Sequence, residues 1–218
     1  VMNEQREIIY AERRRVLDGE NMRDVVYKMM LDTVEDCVDR AIGDDIASSE
    51  WDVNELNQLL LPIVPVDKID LTDEELEHGK KNEFKHRLKE EVIKIYEAKE
   101  TEFAEPEHLR EVERVILLKV IDKKWMTHID DMVQLRQGIG LQALGNRDPL
   151  VEYKFVGYDM FNEMTASIRE DTAKLLLHVK IEQKVEREQV AKVTGTNKDD
   201  TVTKGPVRRA YAKIGRND

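Results

Sequence analysis

The sequence is poor in residues that cross-link, anchor or charge a chain positively. Cys37 is the only cysteine in 218 residues. That excludes an intrachain disulfide and fits a reducing compartment, with the cytoplasm as the default. No apolar run approaches the roughly 18 residues that a spanning helix needs. The longest runs are Leu59-Leu60-Leu61 and Val115-Ile116-Leu117-Leu118, so no bilayer-crossing helix is expected. The opening Val1-Met2-Asn3-Glu4-Gln5-Arg6 has neither the basic nor the apolar region of a signal peptide, and it reads as entering mid-helix, as a piece of a longer chain would. Lys and Arg number 35 against 46 Asp and Glu, a net charge of -11. Phosphate binding needs clustered cations, so this balance argues against a nucleic-acid partner, and on average an anionic membrane repels it.

A nucleotide loop is missing as well. The G-x-x-x-x-G-K-[ST] pattern cradles phosphates on backbone amides, and the only glycine-rich stretch is Gly138-Ile139-Gly140 with Gly145 beyond it. No Lys-Ser or Lys-Thr follows, and the stretch leaves a helix rather than opening one after a strand. It reads as a hairpin turn, and the chain alone is not expected to hydrolyse ATP.

What is present is helical periodicity and 37% charge, which together predict an all-α, elongated scaffold rather than one compact globe. Four regions follow. Residues 1–43 read as a long amphipathic helix broken near Asp18-Gly19, with Asn21 and Asp24 placed to cap a restart. Its apolar positions are Met22, Val25, Met29, Val34, Val38 and Ile42, and Cys37 reads as a small buried apolar residue. Residues 44–105 form a separate helical subdomain punctuated by Pro62 and Pro65. There Thr72 and Glu75 make a capping box. One helix is expected from that box toward Lys99, burying Leu76, Phe84, Leu88, Val92, Ile95 and Tyr96.

Residues 106–188 are expected to form an antiparallel two-helix hairpin. Pro106 suits a first helical turn. A seam of Leu117, Ile121, Trp125, His128, Met132, Leu135 and Ile139 follows at steps of four and three. A second helix opens near Asp148-Pro149 with Tyr153, Val156, Met160, Phe161, Met164, Ile168, Leu175 and Val179 facing inward. Residues 189–218 lack the apolar content to fold alone. Their basic positions Lys204, Arg208, Arg209, Lys213 and Arg216 read most simply as a solvated tail, with a weak anionic-lipid contact as the alternative.

Three E-x-x-H pairs, Glu75/His78, Glu83/His86 and Glu105/His108, have the spacing of carboxylate-bridged di-metal bundles. Such sites draw their pairs from different facing helices, whereas two of these share one highly charged stretch and Glu105 precedes a proline. Surface pairs are the expected reading, with no metal and no cofactor. His128 beside Trp125 on an apolar seam reads as a packed, hydrogen-bonded histidine, and no Ser or Cys is spaced to use it as a base. Periodicity alone would also allow a free-standing helical adaptor or coiled-coil partner.

The run Trp125-x-x-His128-Ile129-x-x-Met132-x-x-Leu135-Arg136-Gln137-Gly138-Ile139-x-Leu141, followed by Arg147-Asp148-Pro149-x-x-Glu152-Tyr153, resembles the two-helix finger of SecA preprotein translocases. The opening Val1-Met2-Asn3-Glu4-Gln5-Arg6-x-Ile8-Ile9-Tyr10 resembles the start of that family's helical scaffold. Ile214-Gly215-Arg216-Asn217-Asp218 resembles the stretch before its zinc-binding tail. The resemblance implies a scaffold, wing and finger that couple ATP hydrolysis in absent motor domains to preprotein movement through the SecY channel, and that regulate the ATPase.

It further implies ATP and magnesium in the full-length motor and zinc in the missing tail. The partners it implies are the motor domains in cis, the SecY channel, unfolded preprotein and a second copy in a homodimer. The implied location is cytoplasmic, peripheral to the inner face of the bacterial plasma membrane. The finger tip would be Leu141, Gln142, Ala143, Leu144, Gly145, Asn146 and Arg147. Trp125, His128, Met132, Leu135 and Arg136 would form the seam that couples the hairpin to the motor. Leu144 stands where the family commonly has tyrosine, and Gly140 and Gln142 where it commonly has basic residues or histidine. The resemblance therefore implies apolar, sliding contact through Leu141 and Leu144 rather than ring stacking.

Overall fold

The computed structural model describes residues 1–142 and 148–180. Their regular structure is helical throughout: α1 (Met2–Leu17), α2 (Arg23–Ala41), a 3-10 turn (Ser48–Glu50), α3 (Val53–Leu60), α4 (Asp73–His78), α5 (Lys81–Glu102), α6 (Pro106–Gln142) and α7 (Pro149–His178). The all-α expectation holds. No helix among the described residues is long and apolar enough to cross a membrane.

The break between α1 and α2 falls where the glycine predicts it. Gly19 sits at φ +80°, a left-handed conformation that L side chains rarely adopt. Asn21 Oδ1 accepts the Arg23 backbone N–H at 3.0 Å as α2 begins. The buried stripe of α2 runs through Met22, Val26, Met30, Val34, Cys37, Val38 and Ala41. Val25 and Met29 are only half-buried at its edge. Adjacent apolar pairs, Val25-Val26 and Met29-Met30, leave the sequence phase ambiguous by one residue, and packing chooses the second of each.

The capping box forms as expected: Thr72 Oγ1 accepts from the Glu75 backbone and the Glu75 carboxylate accepts from the Thr72 backbone. The helix that it starts does not reach Lys99. It stops at His78, and Gly79 and Lys80 are extended before α5 opens at Lys81. A continuous helix would give the Leu76 carbonyl to the Lys80 amide, but here that carbonyl accepts from Ser48 Oγ at 3.0 Å. The Glu75 carbonyl oxygen lies 2.2 Å from where a Cβ on Gly79 would stand, so only glycine fits this corner. Leu76 is consequently 48% exposed, a correction to its expected burial.

Phe84, Leu88, Val92 and Tyr96 on α5 are buried against α2 and α3, joining Trp51, Leu56 and Leu60 in one apolar core. The same core takes in Leu109 and Leu117 from α6 and Leu176 and Leu177 from α7. Along the outer rim, Lys81 bonds Asp39 and Asp44 at 2.7 Å each, Lys85 bonds Asp39 at 2.7 Å, and Lys89 reaches Glu35. Lys89 holds the Glu35 carboxyl below the usual range. Burial works to raise Asp39, but Lys81 and Lys85 outweigh it.

α6 starts at Pro106 and runs 37 residues, about 55 Å at 1.5 Å per residue. Asp148 caps α7 by accepting from the Leu150 amide at 2.9 Å. The two helices pack antiparallel, so that His128 meets Phe161 near the middle while Lys124 bonds Asp171 at 2.7 Å nearer the root. Of the inward set expected on α7, Phe161, Met164 and Ile168 are buried and Tyr153, Val156, Met160 and Val179 half-buried. Leu175 is exposed instead, because Leu176 and Leu177 take the core positions.

Candidate functional site

The seam residues are spread along α6: Ile121 and Trp125 pack with Ile9 of α1, while Leu117 joins the larger core. Leu117, Ile121, Trp125, His128, Met132 and Ile139 are all buried, Leu135 is half-buried and Arg136 is exposed. Tyr10 meets Trp125 edge-on at 6.5 Å, and the His128 ring lies 5.6 Å from Trp125 and 5.8 Å from Phe161. Arg13 closes the outer side with two bonds to Asp122, at 2.8 and 3.3 Å.

At the centre, Gln5 reads both hairpin helices at once. Its Nε2 donates to the Gly157 carbonyl at 2.9 Å, and its Oε1 lies 3.0 Å from His128 Nε2. A carbonyl can only accept, so the Gln5 amide must turn its NH2 to Gly157 and its oxygen to His128. Nε2 of His128 therefore carries the proton and donates. This commits the nitrogen to a structural bond rather than leaving it free as a base. Gly157 also packs closely on α6: a Cβ there would stand 2.8 Å from Met132 Cε, which would have to shift. The histidine expected to be packed and bonded is so; its partner, 123 residues away, could not be read from the sequence.

Burial depresses the His128 pKa below its ordinary 6.5, opposed by Asp131. In the window from 6.5 down to that lower value the unfolded chain binds the proton and the folded chain does not, so stability falls as pH falls. His128→Gln should flatten this part of the stability profile, measured by urea midpoints between pH 7 and 5. A profile identical to the parent's would show that His128 does not contribute.

A second buried cluster lies at the hairpin root, where the C-terminal turns of α5 run antiparallel to the first turns of α6. Glu113 is fully buried, at 0% exposure. It accepts from Tyr96 Oη, and Arg110 Nη1 lies 2.9 Å from its Oε1. Arg110 also bonds Glu100, which Arg23 of α2 grips with Nε at 2.8 Å and Nη2 at 3.1 Å. Arg23 donates to Tyr27 Oη as well, and the Tyr27 ring packs edge-on to Tyr96 at 5.3 Å. Burial raises the Glu113 carboxyl, against Tyr96 and Arg110, while Arg23 holds Glu100 low. The sequence reading missed this group, although a signal exists: Glu113 lies four residues before Leu117, in phase with the apolar seam.

The three E-x-x-H pairs are not brought together. Glu75 is taken by Arg87 at 2.7 and 3.1 Å, His86 faces Glu90, and Glu105 with His108 is exposed. Among the described residues no three His, Cys, Asp or Glu side chains are grouped to hold a metal ion. Of the expected finger tip, Leu141 and Gln142 lie in the last turn of α6. Ala143, Leu144, Gly145, Asn146 and Arg147 lie outside the described residues, as do the basic positions from Lys204 onward.

The helices and their buried junctions define a helical scaffold module carrying a long antiparallel hairpin. Residues 1–180 match the wing and scaffold domain of SecA, and the chain belongs to that family. The protein translocase subunit SecA of Lachnoclostridium phytofermentans is 64% identical over 218 residues, all of this chain and 25% of that protein. Those of Clostridium botulinum (strain Okra) and Clostridium tetani are 46% and 45% identical, again over all of this chain and 26% of each protein. The chain thus spans about a quarter of the length of the curated relatives it matches.

Proposed function

We propose that this chain is the lever of a protein-export ATPase. It couples ATP hydrolysis in motor domains outside it to movement of unfolded preprotein through the SecY channel, and it restrains ATP turnover when the channel is not engaged. Residues 1–43 serve as the scaffold helix, 44–105 as the wing, 106–188 as the finger hairpin and 189–218 as a linker. ATP and magnesium belong to the motor, and zinc to a tail beyond the linker. The module works at the cytoplasmic face of the plasma membrane, held there by the channel and, more weakly, by anionic lipid, and it is able to pair with a second copy.

The observation that carries this reading is the continuity of α6. One unbroken 37-residue helix runs from the root cluster at Arg110 and Glu113, through the Gln5–His128 junction, to Leu141 and Gln142. A hydrogen-bonded helix is stiff along its axis, so displacement at the root arrives at the far end without being absorbed in a loop.

The test is Leu144→Asp in the full-length protein. Preprotein translocation into channel-bearing vesicles should fall at least about tenfold, as for placing an uncompensated charge in an apolar contact, while basal ATPase stays at the parent rate. Unchanged translocation would remove the tip from the mechanism. A matched loss of both activities would point to misfolding instead.

A further inference from the structure

The root cluster contains two cations and two carboxylates drawn from three helices: Arg23 from α2, Glu100 from α5, and Arg110 and Glu113 from α6. Each member is shared. Glu100 is held by both Arg23 and Arg110, Arg110 holds both Glu100 and Glu113, and Glu113 holds both Arg110 and Tyr96. Formal charge sums to zero over the four, and the pairing is electrostatic at its buried end, where Arg110 Nη1 and Glu113 Oε2 make no hydrogen bond. Next to it Lys99 Nζ donates to the Val179 carbonyl at 2.7 Å, tying the same end of α5 to the residue that follows α7.

Apolar packing would hold these helices together but not at one angle, because apolar contact is non-directional and tolerates sliding. A bidentate guanidinium–carboxylate pair fixes both distance and direction. Separating α5 from α6 takes partners from Arg110 and Glu113, which are 7% and 0% exposed, so opening that joint alone is costly, whereas Arg23 at 38% keeps access to water.

We infer that Arg23, Glu100, Arg110 and Glu113 form a charge-balanced lock that makes the C-terminal turns of α5 and the first turns of α6 open together. Movement of the hairpin then reaches α5 and α2 as rigid rotation rather than slip. The lock is a property of the fold and stands whether or not the chain acts in export.

Native-state amide hydrogen exchange on the full-length protein tests it. The amides of 92–102 and of 110–117 should share one opening free energy and one denaturant dependence. In the double variant Arg110→Met/Glu113→Met, where apolar stems replace both ion pairs that Arg110 makes, the 92–102 segment should exchange about tenfold or more faster while 110–117 keeps its protection, as expected when a charge-assisted link is lost. Separate opening of the two segments in the parent protein would overturn the inference, as would joint opening in the double variant. If the Met pair fails to fold, Arg110→Gln/Glu113→Gln, which also removes both ion pairs of Arg110, carries the same comparison, and the parent measurement decides by itself whether the segments are coupled.

Discussion

Glu113→Ala is expected to destabilise the fold by about 3–5 kcal/mol, the cost of removing one partner from a buried ion pair. The loss should be read as a shift in urea midpoint at pH 7. The cost comes less from the bonds lost than from what stays behind. Arg110, only 6% exposed, keeps its charge with half its partners gone, and Tyr96 Oη is left with no acceptor at full burial. Glu113→Gln should cost less, about 1–3 kcal/mol, because the amide oxygen still accepts from Tyr96 and no cavity opens.

Both variants also remove a titrating group. Burial raises the folded Glu113 pKa, so the folded state holds this proton more tightly than the unfolded one. Stability from this group is full below the unfolded value and declines as pH rises through the folded value. Glu113→Gln should abolish that decline, while Glu35, Asp39 and Glu100, whose carboxyls are held low, should still cost stability as pH falls into the acid range.

A loss of similar size is expected at the other end of the large core. Phe84 is nearly fully buried and its ring lies 5.4 Å from that of Trp51. Phe84→Ala should therefore cost about 3–5 kcal/mol in transfer and cavity terms. Leu76→Ala should stay within about 0.5 kcal/mol, the range for exposed positions. Thermal or urea unfolding of both variants checks the contrast, and equal costs would place Leu76 in the core after all.

Those two residues also mark where sequence reading succeeded and where it stopped. Both fall on one stripe if a single helix runs from Thr72, and the period of 3.6 cannot register a break that keeps the chain polar on either side. What breaks it is a carbonyl captured by Ser48, 28 residues upstream, and a corner only glycine can turn. The hairpin was legible because α6 and α7 are long enough for the period to average over local noise. Pro106 and Asp148 also mark their starts by local chemistry. Val25 against Val26 and Leu175 against Leu176 went wrong for a shared reason: where apolar residues are consecutive, only a neighbouring element decides which one faces inward.

The junctions were least legible. Gln5, His128 and Gly157 are a polar residue, an ambiguous one and a residue with no side chain. Nothing local says that a helix 123 residues away supplies the hydrogen bond. Arg110 and Glu113 look like any surface pair at i and i+3 until the phase with Leu117 is noticed. Polar groups that join elements are specified by tertiary geometry, whereas apolar stripes are specified by each helix alone.

The lone cysteine has a practical corollary. Cys37 is packed within α2, and burial pushes its thiol up to about 11, so at neutral pH almost none of it is thiolate, the form that attacks alkylating reagents and disulfides. These 218 residues are therefore already a quiet background for thiol chemistry. A cysteine introduced on the outward faces of α6 or α7, at exposed Met126 or Phe155, could carry a fluorophore or a photocrosslinker without Cys37 first being removed. Distances along the hairpin could then be followed in this chain with its core untouched.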